Sequence, residues 1–220
     1  MAKRPVDGSG GWRRRLAALA AVIALAPGGA AAEEPSSHRQ LLRWAEGPVR
    51  WLLQPGELRE LRRVRGPAEA ANFVELFWSR RDPEPREPGN RFRATFLERV
   101  EIADVLYGEP GIRGSLTDRG RAMILLGAPD ELRISSRDAL DWNPRGSRQR
   151  RGRVVVKILP MEVWAYSLDQ LPEVLAQALE PLAAESKVEL TFVLENDRAH
   201  LSHGEGILDL VSEVALARPH

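Results

Sequence analysis

The feature that most constrains this chain is a change in the period of its apolar residues partway along. Leu41, Leu42 and Trp44, then Leu58, Leu61 and Val64, recur at helical spacing and are interrupted by Gly47-Pro48 and Gln54-Pro55-Gly56. That pattern predicts a helix, a short extended piece over Val49–Leu53, and a second helix. Pro67 suits a first helical turn, and Ala70, Phe73, Val74, Phe77 and Trp78 carry the next helix to Arg81, where Asp82-Pro83 stops it. Three prolines and a glycine make Asp82–Asn90 a loop, after which Phe92, Phe96, Val100, Ala103 and Tyr107 predict a helix over 91–107.

Beyond residue 108 the helical period fades. Ala122–Leu126 lies between Thr117-Asp118-Arg119-Gly120 and Gly127-Ala128-Pro129-Asp130, and reads as a short buried strand bounded by two turns. Residues 135–153 are polar and basic and read as an exposed loop. Val154–Leu159 and Met161–Tyr166 read as strands around Pro160, Pro172–Ala184 as helical, and Ile207–Leu216 as either type. In Lys187–Leu194, alternating Val188, Leu190 and Phe192 mark a half-buried strand. Helices first and strands later predict an α+β fold: N-terminal amphipathic helices packed with a small, mostly antiparallel sheet.

The first 32 residues follow a different logic. Arg13, Arg14 and Arg15 precede an apolar stretch from Leu16 to Ala26, then Pro27, two glycines and Ala30-Ala31-Ala32. A cationic start, an apolar helix and a small-residue site are the parts of a secretory signal, and an apolar run this short falls well below the ~20 residues that span a bilayer core. The pattern predicts cleavage between Ala32 and Glu33 and a periplasmic or extracellular mature protein. The remaining chain divides into a lead-in over 33–43 and one domain over 44–217, within the usual size of a single core.

Composition narrows the chemistry. Of 32 basic and 31 acidic side chains, five and one lie in residues 1–32, so the remainder carries −3, which argues against a nucleic-acid partner. With no cysteine there is no disulfide, thiolate nucleophile or iron–sulfur site. Walker, dinucleotide and nucleophile-elbow motifs are absent from the sequence, and no cofactor is expected.

Five ordered blocks carry a resemblance. They are Phe73 with Phe77-Trp78 and Arg80-Arg81-Asp82-Pro83; Gly114-Ser115-Leu116-Thr117-Asp118-Arg119-Gly120; Gly127-Ala128-Pro129-Asp130-Glu131; and Glu162-Val163-Trp164-Ala165-Tyr166, with a long helix after the first. Over roughly residues 44–195 the chain resembles the GWxTD domain family of bacterial exported and envelope-associated proteins, with Ser115 where the eponymous tryptophan stands. The resemblance implies a signal-bearing bacterial protein with a shared fold; it transfers no activity, cofactor or catalytic residue.

Several groups of residues are candidates for binding or for structure. Arg80, Arg81 and Asp82 place two guanidinium groups and a carboxylate at a helix end, where they either pair internally or receive an anion. Gly114, Thr117, Asp118, Arg119 and Gly120 suit a turn, as do Pro129 and Asp130. Asp118, Asp130 and Glu131 would need to converge to hold a divalent cation, and His200 and His203 lack a further ligand, so no metal is expected. Glu162 beside Trp164 offers a carboxylate near an aromatic. Arg145, Arg148, Arg150, Arg151 and Arg153, near Trp142, form a basic loop that outside the cytoplasm would meet anionic membrane surfaces or acidic proteins. The expected role is a non-enzymatic interaction or structural protein of the bacterial envelope with another envelope protein as partner; the alternative is a carboxylate-dependent hydrolase of envelope polysaccharide.

Overall fold

The computed structural model describes residue 35, residues 37–141 and residues 155–215. Among them the order is α1 (His38–Glu46), α2 (Pro55–Leu61), α3 (Pro67–Ser79), α4 (Arg91–Leu106), α5 (Asp118–Leu126), β1 (Glu131–Asp141), β2 (Val155–Ser167), α6 (Glu173–Leu179), β3 (Lys187–Glu195), β4 (Arg198–His203) and α7 (Glu205–Val214), with short 3-10 turns between. The four strands form one antiparallel sheet in the order β1-β2-β3-β4. The fold is therefore α+β, as the change of period predicts. No helix among the described residues is long and apolar enough to cross a membrane. The predicted signal over 1–32 and the arginines at 145, 148, 150, 151 and 153 lie outside the described residues, as does Trp142.

Local chemistry sets the helix ends. Ser37 caps α1 by accepting the Gln40 N–H, Gln54 and Glu57 form a reciprocal capping box at α2, and Asn90 caps α4 through the Arg93 N–H. The predicted extended piece at Val49–Leu53 is instead a 3-10 turn over Pro48–Trp51, because Pro48 sits at its first position with φ already helical.

The predicted strand at Ala122–Leu126 is a helix. Thr117 accepts the Gly120 N–H as N-cap, and Gly127, at φ +83°, ends α5 by donating to the Met123 carbonyl. Every residue from Ala122 to Leu126 is buried because α5 packs on α4, α7 and β4 at once, so no polar face breaks the run. A helix apolar all round cannot be distinguished from a buried strand by periodicity.

The predicted loop at 135–153 is also corrected: β1 continues to Asp141 and pairs with β2 in one unbroken register. Pro160 does not divide β2 but marks where the third strand stops, since β3 pairs with β2 only from Met161 onward. A proline cannot donate to a ladder and belongs where a neighbour is missing. Beyond that point β1 and β2 continue as a two-stranded ribbon, and just before it all four residues of β1 from Arg133 to Ser136 are exposed, so the alternation that marks a half-buried strand is lost.

Two aromatic groups organise the core. Among the helices, Trp44 meets Phe77 edge-on at 4.9 Å and Trp78 meets Phe96 at 5.4 Å; against the sheet, Trp164 lies between Tyr107 at 5.2 Å and Phe192 at 4.9 Å. Edge-to-face and tilted pairs at these distances add to the burial of the rings.

Candidate functional site

Arg80, Arg81 and Asp82 end α3 at the mouth of a cavity of about 390 Å³ between α4, α5, α6 and α7. Arg81 does not face it as a free cation. Its guanidinium donates to both Glu57 oxygens at 2.9 and 2.8 Å and to the carbonyls of Phe77 and Leu52, and lies 3.7 Å above the Phe77 ring. Arg80, more exposed, pairs with Glu60 at 3.0 Å, and Asp82 accepts the Glu84 N–H. The helix-end reading of these residues is thus realised as an internal pair linking α2 to α3.

The wall of the cavity is apolar, formed by Phe92, Phe96, Leu125, Leu175 and Val211 among others, and Arg99 is the cation set into it. Arg99 donates through Nη1 to the carbonyls of Ile124 and Leu125 at the end of α5, each at 3.1 Å. No ion pair to Arg99 is present among the described residues, and burial lowers its pKa. Sequence reading missed Arg99: it sits among ordinary helix residues, and nothing in its neighbourhood distinguishes it from a solvated arginine.

Gly114, Thr117 and Gly120 form a contact between backbones. A Cβ on Gly114 would fall 1.9 Å from the Ala103 carbonyl oxygen, and one on Gly120 would fall 1.8 Å from the Gly114 oxygen. The two glycines let α4, the 3-10 turn at Gly114–Leu116 and α5 stack directly. Ser115, fully buried, donates its N–H to Asp104, 11 residues away, and accepts Trp51 Nε1 through its carbonyl across 64 residues. Burial raises the Asp104 carboxyl, but the bonds from Ser115 and Arg113 outweigh it and the net shift is downward. An aromatic at position 115 would therefore be an internal side chain and not an exposed stacking platform.

Thr117 holds this junction through one oxygen, which accepts the Gly120 N–H at 3.1 Å and shares its hydrogen between the carbonyls of Gly114 at 2.8 Å and Tyr107 at 3.2 Å. Thr117→Val keeps the shape and removes these bonds, and a loss of about 1–2 kcal/mol is expected in urea unfolding, with Thr117→Ser largely retaining stability.

The carboxylates that a hydrolase would use are already engaged. Asp118 accepts the Leu201 N–H at 2.8 Å and Glu109 the Ala199 N–H at 3.0 Å, so the two cover the outer edge of β4. Arg119 bonds Glu162 at 3.2 Å and lies over the Tyr107 ring, while Trp164 donates to the other Glu162 oxygen. Burial pushes the Tyr107 hydroxyl up to about 12. Asp130 accepts the Ser167 N–H at 2.8 Å, beside fully buried Pro129. Structure brings Glu162 to Arg119, but Asp118, Asp130 and Glu162 serve three separate contacts. His200 and His203 lie on β4 opposite Val193 and Thr191, with a bulge between them, and both are exposed. No metal-holding cluster occurs among the described residues.

At the other end of the sheet the edge strand is β1. Among the described residues no side chain or strand takes up the outward backbone groups of β1, which pairs only with β2 over its eleven residues. Ile134 is 78% exposed and Ile158 65%. Ile134 lies opposite Glu162, and Ile158 is four residues along β2 from it, so both continue the face that carries buried Trp164. The inner face of the sheet thus runs on past the helices that cover it.

No family model, curated protein or solved structure matches this chain.

Proposed function

We propose that this protein is an exported, non-enzymatic interaction protein of the bacterial envelope that binds an extended segment of another envelope protein along β1. The observation that carries the reading is the contrast between the two edges of one sheet. The β4 edge is closed by Glu109 and Asp118, whereas among the described residues nothing pairs with the outer edge of β1, which is flanked by exposed Ile134 and Ile158 on one face. Folded proteins cover, shorten or charge such edges unless a partner pairs with them, and an added strand would gain backbone hydrogen bonds while its alternate side chains cover the two isoleucines. The leader pattern and the resemblance to the GWxTD family support the location, and the engagement of Asp118, Asp130 and Glu162 in structural bonds favours binding over hydrolysis.

A photo-crosslinking residue at Ser136, in the full chain expressed in its native envelope, tests this reading. The expected result is one crosslinked envelope protein, absent when residues 1–32 are removed and lost when Ile134→Lys and Ile158→Lys are introduced. Because both isoleucines are exposed, those changes should alter stability by no more than about 0.5 kcal/mol each. Equal capture from a probe at exposed Val105 on α4, or crosslinks only to a second copy of the chain, would overturn it.

A further inference from the structure

The cavity at Arg99 shares no lining residue with β1 and rests on a separate observation. Its volume, about 390 Å³, falls within the roughly 300–1,000 Å³ of small-molecule sites, and it lies between helices, where such sites are common. The arginines around it differ in one respect. Arg81 is held by Glu57, Arg80 by Glu60, and Arg91 is 3.4 Å from Glu84, yet Arg99 has only the two carbonyls at the end of α5. Nη1 makes both of those bonds, so Nε and Nη2 of the same planar group have no acceptor among the described residues. Neither nitrogen is among the sealed, unpartnered polar atoms of the described residues, so both remain reachable, and the fork formed by Nε and Nη2 matches a carboxylate in two parallel hydrogen bonds.

We propose that this cleft binds a long-chain fatty acid, with its carboxylate on Arg99 and its chain along the wall formed by Phe92, Phe96, Leu175 and Val211. The charge match selects the head group. One unpaired guanidinium is neutralised by one carboxylate, whereas a phosphate monoester carries close to roughly two negative charges and would bury one of them uncompensated. The apolar wall selects the remainder of the molecule, since a short carboxylate would leave it uncovered. Gly127 supports the arrangement: a Cβ there would approach Arg99 Nη2 to 2.9 Å, so the absence of a side chain lets the guanidinium lie against the backbone.

The test measures binding of dodecanoate, dodecanol and dodecyl phosphate to the purified full chain by titration calorimetry. Wild-type protein should bind dodecanoate at least about tenfold tighter than dodecanol, the effect of a charge-assisted pair in an apolar site. Arg99→Met should bring acid and alcohol to within about threefold by weakening the acid alone. Val174→Trp, at an exposed position on the cavity rim, should weaken both without unfolding the protein. Equal wild-type affinity for acid and alcohol, or no binding of either, would overturn the proposal, and tighter binding of dodecyl phosphate would overturn the carboxylate assignment. Were Arg99→Met to fail to fold, the wild-type ratio and Val174→Trp would still decide.

Discussion

Gly120→Ala is expected to destabilise this protein by at least about 3 kcal/mol, although alanine is the better helix former by roughly 1 kcal/mol. The added Cβ would meet the Gly114 carbonyl oxygen at 1.8 Å and its carbon at 2.7 Å. Both are backbone atoms, and the turn that carries them cannot retreat. It is bonded on one side by Asp104 to the Ser115 N–H and on the other by Trp51 to the Ser115 carbonyl, while Gly114 itself lies against Ala103. Relieving the clash would require α5 to move away from α4, opening the most buried helix of the fold. Gly56→Ala in α2 is the control, because a Cβ there meets only the end of the Arg59 side chain at 4.0 Å. A small gain of up to about 1 kcal/mol is expected at that site. Urea midpoints of the two variants against wild type decide the matter, and equal shifts would show that close backbone approach is not what selects glycine at 120.

The second large effect concerns Arg81. Arg81→Met should cost about 3–5 kcal/mol, the range for removing one partner of a buried ion pair. Glu57, 5% exposed, would lose the two guanidinium bonds and keep only the looser contact to Arg80 at 3.6 Å, and the Leu52 carbonyl would lose its donor. Glu57→Gln in the same chain should recover a substantial part of that loss, because the amide no longer carries a stranded charge and can still accept the Gln54 N–H that caps α2. A double-mutant cycle from urea unfolding measures this coupling. Additive losses, or an Arg81→Met protein as stable as wild type, would mean that the guanidinium is not structural and is free to bind an external anion.

How much of this was legible beforehand depended on how many sides of each element are buried. The helices with one wet face, α1, α3 and α4, were predicted within a few residues, because their apolar residues recur every three or four positions. Strand β3 was legible for the same reason, with one face on the core and the other toward solvent. Two of the misreadings lie at opposite extremes: α5 is buried throughout Ala122–Leu126 and β1 is exposed throughout Arg133–Ser136, and each lacks the contrast from which a period is read. A better signal for α5 was at hand in its ends, with Thr117 as N-cap and Gly127 as terminator. Strand β4 carried no such signal and was not anticipated.

The site residues follow the same division. That Arg80, Arg81, Asp82, Gly114, Thr117, Gly120, Asp130 and Glu162 stand at structurally demanding positions could be proposed from residue type and neighbours alone. Which of them are internal could not, because Arg81 meets Glu57 across 24 residues and Asp118 meets Leu201 across 83. Local sequence determined the class of fold, the helix caps, and the breaks at proline and glycine. Tertiary structure alone decided that Asp118 closes a strand edge, and that among the described residues Arg99 stands without a counter-charge in an apolar wall and β1 has no strand on its outer side. The physical reason is that capping and periodicity act within a turn or two of chain, whereas the pairing of a charge, the filling of a cavity and the covering of an edge depend on which distant segment packing brings alongside.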